Sequence, residues 1–230
     1  MGLTPLDGVM MGTRCGSIDP ATVCYLQREG GYTFDEVDEM MNKKSGLLAV
    51  TGGKTNDCRN VEELAAAGDP EAQLAFDMFV YKIAAKAAEM ATSMCGMDTL
   101  VFTAGIGEHA PAVRAGVADR LAFMGVKMDH ARNALRGDGA WCLSAKDSKV
   151  KIFVIPTDEE FMIASDASAS STASNCKRGG AGRPSAVRPL FCARWAICLI
   201  AIYQVCDNFL LKCGRLKGSA STVLHCKGVS

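Results

Sequence analysis

Four short stretches of this 230-residue chain hold residue types that do chemistry. The first is Thr103-Ala104-Gly105-Ile106-Gly107-Glu108, directly after an apolar run. Glycines at the end of a strand let a ligand come close to the backbone, whose N–H groups then meet a phosphate or ribose. A purely structural turn has the same pattern, so both readings stand on these residues alone. The chain has neither GxGxxG nor GxxxxGK[ST], which argues against Rossmann and P-loop classes. The second stretch, Thr157-Asp158-Glu159-Glu160, puts carboxylates where a second apolar run ends and a helix begins. Mg²⁺ is held at such places by one or two carboxylates plus substrate phosphates. Acids there also serve simply to complement the helix dipole.

The third stretch is Met11-Gly-Thr-Arg14-Cys-Gly16, an arginine with glycine two residues to either side. A guanidinium on such a loop forks onto phosphate oxygens and offsets charge in a transferring phosphoryl group; a solvated surface arginine is the competing reading. The fourth is Thr51-Gly-Gly-Lys-Thr-Asn-Asp57-Cys58-Arg59-Asn, in which Asp57 and Arg59 also suit an exposed ion pair in a turn.

These groups need elements to position them. Residues 1–60 read as loops around one helix, Phe34 to Lys43, with Thr33 as N-cap and Glu36 as its capping-box partner. Asp69-Pro70-Glu71 starts a long helix running to about Met94, with Leu74, Met78, Val80, Ile83, Ala87, Met90 and Met94 predicted on its core face. Thr99–Ala104 reads as a buried strand and Gly105–Glu108 as a turn. Pro111 opens a helix that carries Val113, Val117 and Leu121 inward, Val150–Ile155 is a second strand, and Asp158 starts a last helix. Helices and strands alternating in this way predict an α/β layered domain.

Composition separates the chain into two parts. Residues 1–166 carry 16 Lys+Arg against 24 Asp+Glu, and residues 167–230 carry 9 against the single Asp207. The whole is neutral, with no charge argument for nucleic acid or an anionic membrane as partner. After residue 167 a Ser- and Gly-rich linker leads to a basic, cysteine-rich tail, expected to be unrelated to the preceding domain or disordered. Its uninterrupted apolar stretch, Trp195–Tyr203, is too short to cross a bilayer. Eleven cysteines, an odd number with no CxxC, fit reduced thiols in a cytoplasmic interior, with an organellar one also open.

Taken together, MGLTPLDGVMMGTRCGSIDP, Met41-Asn-Lys-Lys-Ser-Gly46, TNDCR, VFTAGIGE and VIPTDEE stand in the order and at nearly the spacing found in acetate kinases. Residues 1–166 resemble the C-terminal half of that family. The resemblance implies a ribonuclease H-like, actin-like ATPase domain of α/β architecture, an ATP-dependent phosphoryl transfer to acetate or another short-chain carboxylate such as propionate, Mg²⁺ as cofactor, and a homodimer formed through this domain. It implies Arg14 as the catalytic arginine, Asp57, Cys58 and Arg59 bordering the adenosine, Gly105, Ile106, Gly107, Glu108 and His109 as the bend under the nucleotide, and Glu159 as the Mg²⁺ ligand. His109 and Asp158 stand where the family commonly has Asn, and Cys58 where it often has a larger apolar residue.

In the family an N-terminal domain supplies a catalytic aspartate, an active-site histidine, acetate-contacting groups and a phosphate-binding loop, and none of these precedes Met1. The expectation is a truncated copy with little or no activity alone, since phosphoryl transfer depends on charge stabilisation from both walls of a cleft. A catalytically inactive nucleotide-binding or dimerisation module is the alternative.

Overall fold

The capping residues define the helices. In the computed structural model, which describes residues 3–137, 139–158, 160, 164 and 167 and the backbone of 197–201, Thr33 accepts from the Glu36 N–H while Glu36 bonds back to the Thr33 N–H. This is the predicted capping box, and it opens α2 (Phe34–Lys43). Asp69 caps α5 (Pro70–Ser93) by accepting from the N–H groups of Glu71 and Ala72, with Pro70 inside the first turn. The N-terminal region holds more helix than its composition suggests: α1 (Ala21–Arg28), α3 (Gly46–Val50) and α4 (Cys58–Ala66) join α2 there. Their shortness explains the difference, since helices of five to nine residues leave little periodicity to read.

Helix α5 is central. It buries Ala72, Ala75, Phe79, Val80, Ile83, Ala84, Ala87 and Ala91. Of the predicted core face, Val80, Ile83 and Ala87 are buried, while Leu74, Met78 and Met90 are exposed. The true seam runs through alanines, whose small side chains let neighbouring helices come close and carry little signal in a hydrophobicity pattern.

After α5 come β1 (Thr99–Thr103), α6 (Ala104–His109), α7 (Pro111–Arg120), a 3-10 turn (Ala122–Met124), α8 (His130–Ala134), β2 (Trp141–Cys142) and β3 (Lys151–Val154). The predicted turn at Gly105–Glu108 is thus a short helix. Strands β1 and β3 run parallel, with Thr99 opposite Lys151 and Phe102 opposite Val154, and β2 pairs antiparallel with β3. A fourth strand, β4 (Ile197–Ala201), comes from the tail and lies parallel to β1 in the order β2-β3-β1-β4. Leu100, Phe102, Ile152 and Val154 join Val80, Ile83, Val113, Val117 and Leu121 in one core, with Val113, Val117 and Leu121 facing inward as predicted. Among the described residues no helix is long and apolar enough to cross a membrane. The tail outside β4, and most of the helix expected after Asp158, lie outside the described residues.

Candidate functional site

Strands β1 and β3 are parallel neighbours, so the chain leaves both at the same edge of the sheet. In α/β sheets ligands bind beyond these carboxyl ends. Two of the candidate segments meet there. At the β1–α6 junction Ala104 takes φ 61°, a left-handed value unusual for a residue with a side chain. Such strain persists only where the surroundings hold it. Here Thr157, just past β3, holds it: the Ala104 N–H donates to the Thr157 hydroxyl at 2.9 Å, and the Thr103 and Thr157 hydroxyls lie 3.0 Å apart. The Thr157 N–H donates to the Glu108 carboxylate at 3.0 Å. Gly107 sits where a Cβ would come within 3.2 Å of the Phe102 carbonyl carbon, so α6 folds tightly back on β1. Gly105 and His109 face outward.

Beneath this bend lies Arg114, 1% exposed on α7. Its Nη1 donates to the carbonyls of Gly107 and Glu108, both at 2.9 Å, its Nε to Asn133 Oδ1 at 2.8 Å and its Nη2 to the Asn133 carbonyl at 3.0 Å. Burial pulls the guanidinium pKa down and the nearby Glu62 carboxylate pushes it up. Glu62 is itself raised by its half-burial on α4.

The Arg14 loop rests on α3. The Leu47 and Leu48 N–H groups, which have no partner inside their own helix, donate to the carbonyls of Met11 and Gly12, both at 2.9 Å, and the Ser45 N–H donates to Thr13. Gly46 makes this possible. It has φ +65°, and a Cβ there would overlap the Met11 carbonyl oxygen and lie 2.8 Å from that of Arg14. Arg14 is half-buried. On the other side of the loop a Cβ on Gly12 would lie 2.7 Å from the Asn56 carbonyl oxygen, so the Arg14 loop and the Asp57 turn are packed together.

Asp57 is the N-cap of α4, accepting from the Arg59 N–H at 2.9 Å, and also pairs with the Arg59 guanidinium at 2.6 Å. Those bonds hold its carboxyl below the usual range. Cys58 turns into the core, where burial, with Glu62 and Asp57 adding to it, pushes its thiol up to about 12.

Two groupings result, Arg14 with Asp57 and the Gly105–His109 bend with Thr157; α4 begins at Asp57 and carries Glu62, whose charge acts on Arg114 beneath the bend. Glu159 lies outside the described residues; its neighbour Asp158 is exposed beyond β3. Among the described residues no three His, Cys, Asp or Glu side chains gather as a metal cage. Thr157, Gly46 and Arg114 escape a reading by residue type, because each acts through contacts with segments distant in sequence.

A mixed sheet with a strained bend and a carboxylate-bearing segment where its parallel strands end places the chain among α/β proteins, and solved structures place it more closely. The acetate kinase of Porphyromonas gingivalis matches with a TM-score of 0.68 at 41% identity, covering 72% of this chain and 41% of that one. A propionate kinase from Francisella tularensis matches at 0.66 and 43% identity, covering 71% and 41%. The fold is therefore that of the actin-like ATPase domain in acetate kinases. The model of the Acetokinase family matches residues 1–165, and the chain belongs to that family. Among curated relatives, the acetate kinase of Carboxydothermus hydrogenoformans is 48% identical over 166 residues and that of Anoxybacillus flavithermus 50%. The chain spans about 41% of the length of these relatives, which in turn cover 72% of this chain.

Proposed function

We propose that this chain supplies the nucleotide-binding side of a phosphotransferase that moves a phosphoryl group between ATP and acetate or another short-chain carboxylate, and that the 230 residues alone give little or none of that turnover. The observation that carries the reading is the β1–α6 bend, strained at Ala104 and fastened to Thr157 at the carboxyl edge of parallel strands. A strained, over-determined bend in that position suits a surface that must keep one shape against a ligand. Gly105, Ile106, Gly107, Glu108 and His109 lie under the nucleotide in this reading, and Asp57, Cys58 and Arg59 border the adenosine. Cys58 takes part through its backbone, since its side chain is in the core.

Arg14 meets the transferring phosphoryl group. Its loop is fixed at Met11, Gly12 and Thr13 by backbone bonds to α3 and its approach, so the guanidinium needs little reorganisation to meet developing charge. A carboxylate at Glu159 is the hard oxygen donor that Mg²⁺ takes together with phosphate oxygens, and the exposed Asp158 adds negative charge beside it. Glu159 would hold the ion, which when bound offsets the negative charge of the phosphates. A cytoplasmic setting accords with this chemistry.

Titration calorimetry of the full chain with Mg·ADP, run beside an acetyl phosphate assay with ATP, Mg²⁺ and acetate, tests the proposal. Saturable nucleotide binding with negligible acetyl phosphate is the expected pair. Absence of binding at millimolar nucleotide would overturn the nucleotide reading, and turnover at ordinary kinase rates would overturn the second half.

One observation favours the alternative of an inactive nucleotide-binding or dimerisation module. Leu74, Met78 and Tyr81 project from α5 at helical spacing and are 54%, 36% and 59% exposed. Such a row suits a second copy of the chain, and a dimeric mass by light scattering, lost on Leu74→Glu, would support that role.

A further inference from the structure

Arg114 is the largest of the fully buried side chains among the described residues, and filling space does not explain it. A buried cation is expensive, and an apolar side chain of similar volume packs as well or better. What a cation adds is the set of acceptors it gathers. All three guanidinium nitrogens are used, two acceptors are the consecutive carbonyls of Gly107 and Glu108, and the others belong to Asn133. Carbonyls in the last turn of a short helix have no N–H of their own helix to meet. Arg114 supplies the missing donors from below and places positive charge at the end of α6 where the helix dipole favours it.

Asn133 is fixed in turn: its side-chain amide donates to the Pro111 carbonyl at 2.8 Å. Glu62 brings α4, the helix that begins at the Asp57 turn, into the same electrostatic cluster. The side of the bend facing away from this cluster carries the exposed Gly105 and His109.

We infer that Arg114 is a positioning residue for nucleotide binding: from inside the core it holds the Gly107 and Glu108 carbonyls inward, so that the Gly105–His109 bend keeps the shape its outer face presents to the ligand. This rests on the nucleotide reading proposed above. The role requires a planar fork. Lysine keeps the charge but cannot reach four acceptors on two separate segments with one nitrogen.

The experiment uses the full chain and compares wild type, Arg114→Lys and Asn133→Ala by Mg·ADP calorimetry, thermal unfolding and hydrogen exchange read by mass spectrometry. In Arg114→Lys the affinity should fall about tenfold or more, and exchange should quicken for amides 104–112 while those of α5 keep their protection. Asn133→Ala should move both readouts the same way by a smaller factor, and it decides the matter if Arg114→Lys does not fold. A folded variant with nucleotide affinity within about twofold of wild type and unchanged exchange at the bend would overturn the inference. Protection lost uniformly along the chain, with affinity per folded molecule preserved, would mean a general packing role and would overturn it too. Should wild type bind no nucleotide, the functional reading falls, and the exchange data alone still show whether Arg114 holds the bend.

Discussion

Gly46 sets the position of the Arg14 loop, because only a residue without a Cβ lets the Met11 carbonyl lie against the start of α3. Gly46→Ala adds a methyl group at positive φ and forces it into backbone, for an expected loss of about 2–4 kcal/mol. Urea unfolding followed by circular dichroism measures it, and an unchanged midpoint would refute the contact. That Arg14 sits in a glycine-flanked loop was legible in the sequence, whereas the packing of Gly46 against that loop was not: its partner Met11 lies 35 positions away, beyond any local pattern. Cys58 makes a second residue-scale test. Buried, with its thiol raised to about 12, it should resist iodoacetamide at about pH 8 in the folded chain, while the exposed Cys24 and Cys95 react. Peptide mapping of the alkylated protein reads this directly, and early modification of Cys58 would contradict its place in the core.

At the scale of elements, caps carry much of the organisation. Asp57→Ala removes the α4 cap and should cost about 1 kcal/mol, whereas Asp57→Asn keeps a capping oxygen and should cost less. The pH dependence follows in sign. The Arg59 bonds hold the Asp57 carboxyl below its unfolded value of about 3.9. Its contribution is therefore fully present above that value and is lost as the pH falls through the folded-state value, because the unfolded chain binds the proton more readily there. Acid unfolding monitored by circular dichroism should show a shallower decline below about pH 4 for Asp57→Asn than for wild type; identical curves would count against the cap. The α2 and α5 caps were visible in sequence because a cap is encoded in four consecutive residues. The buried face of α5 was legible only in part: Val80, Ile83 and Ala87 are buried as read, but Leu74, Met78 and Met90 are exposed and much of the packed side is alanine.

On the scale of the whole molecule, β1 lies between β3 and β4, and β4 comes from residues beyond the family match at 1–165. A strand edge left bare invites pairing with other chains. A chain ending at residue 167 should therefore form larger species at concentrations where the full chain does not, measured by light scattering. A monodisperse truncated protein would argue that β4 leaves that edge without consequence.

The sequence by itself determined the α/β class, the order of β1, α7 and β3, the capped helices and the segments that carry the family likeness. Each of these depends on periodicity, capping or breaking signals contained within a few neighbouring residues. Only the tertiary structure decided that Thr157 fastens the bend at Ala104, that Gly46 lies under the Arg14 loop and that Arg114 is buried beneath Gly107 and Glu108. The first two join segments distant in sequence, and the third, though its carbonyls are near in sequence, is completed by Asn133 on α8; close packing, which no local pattern encodes, selects all three when the elements come together.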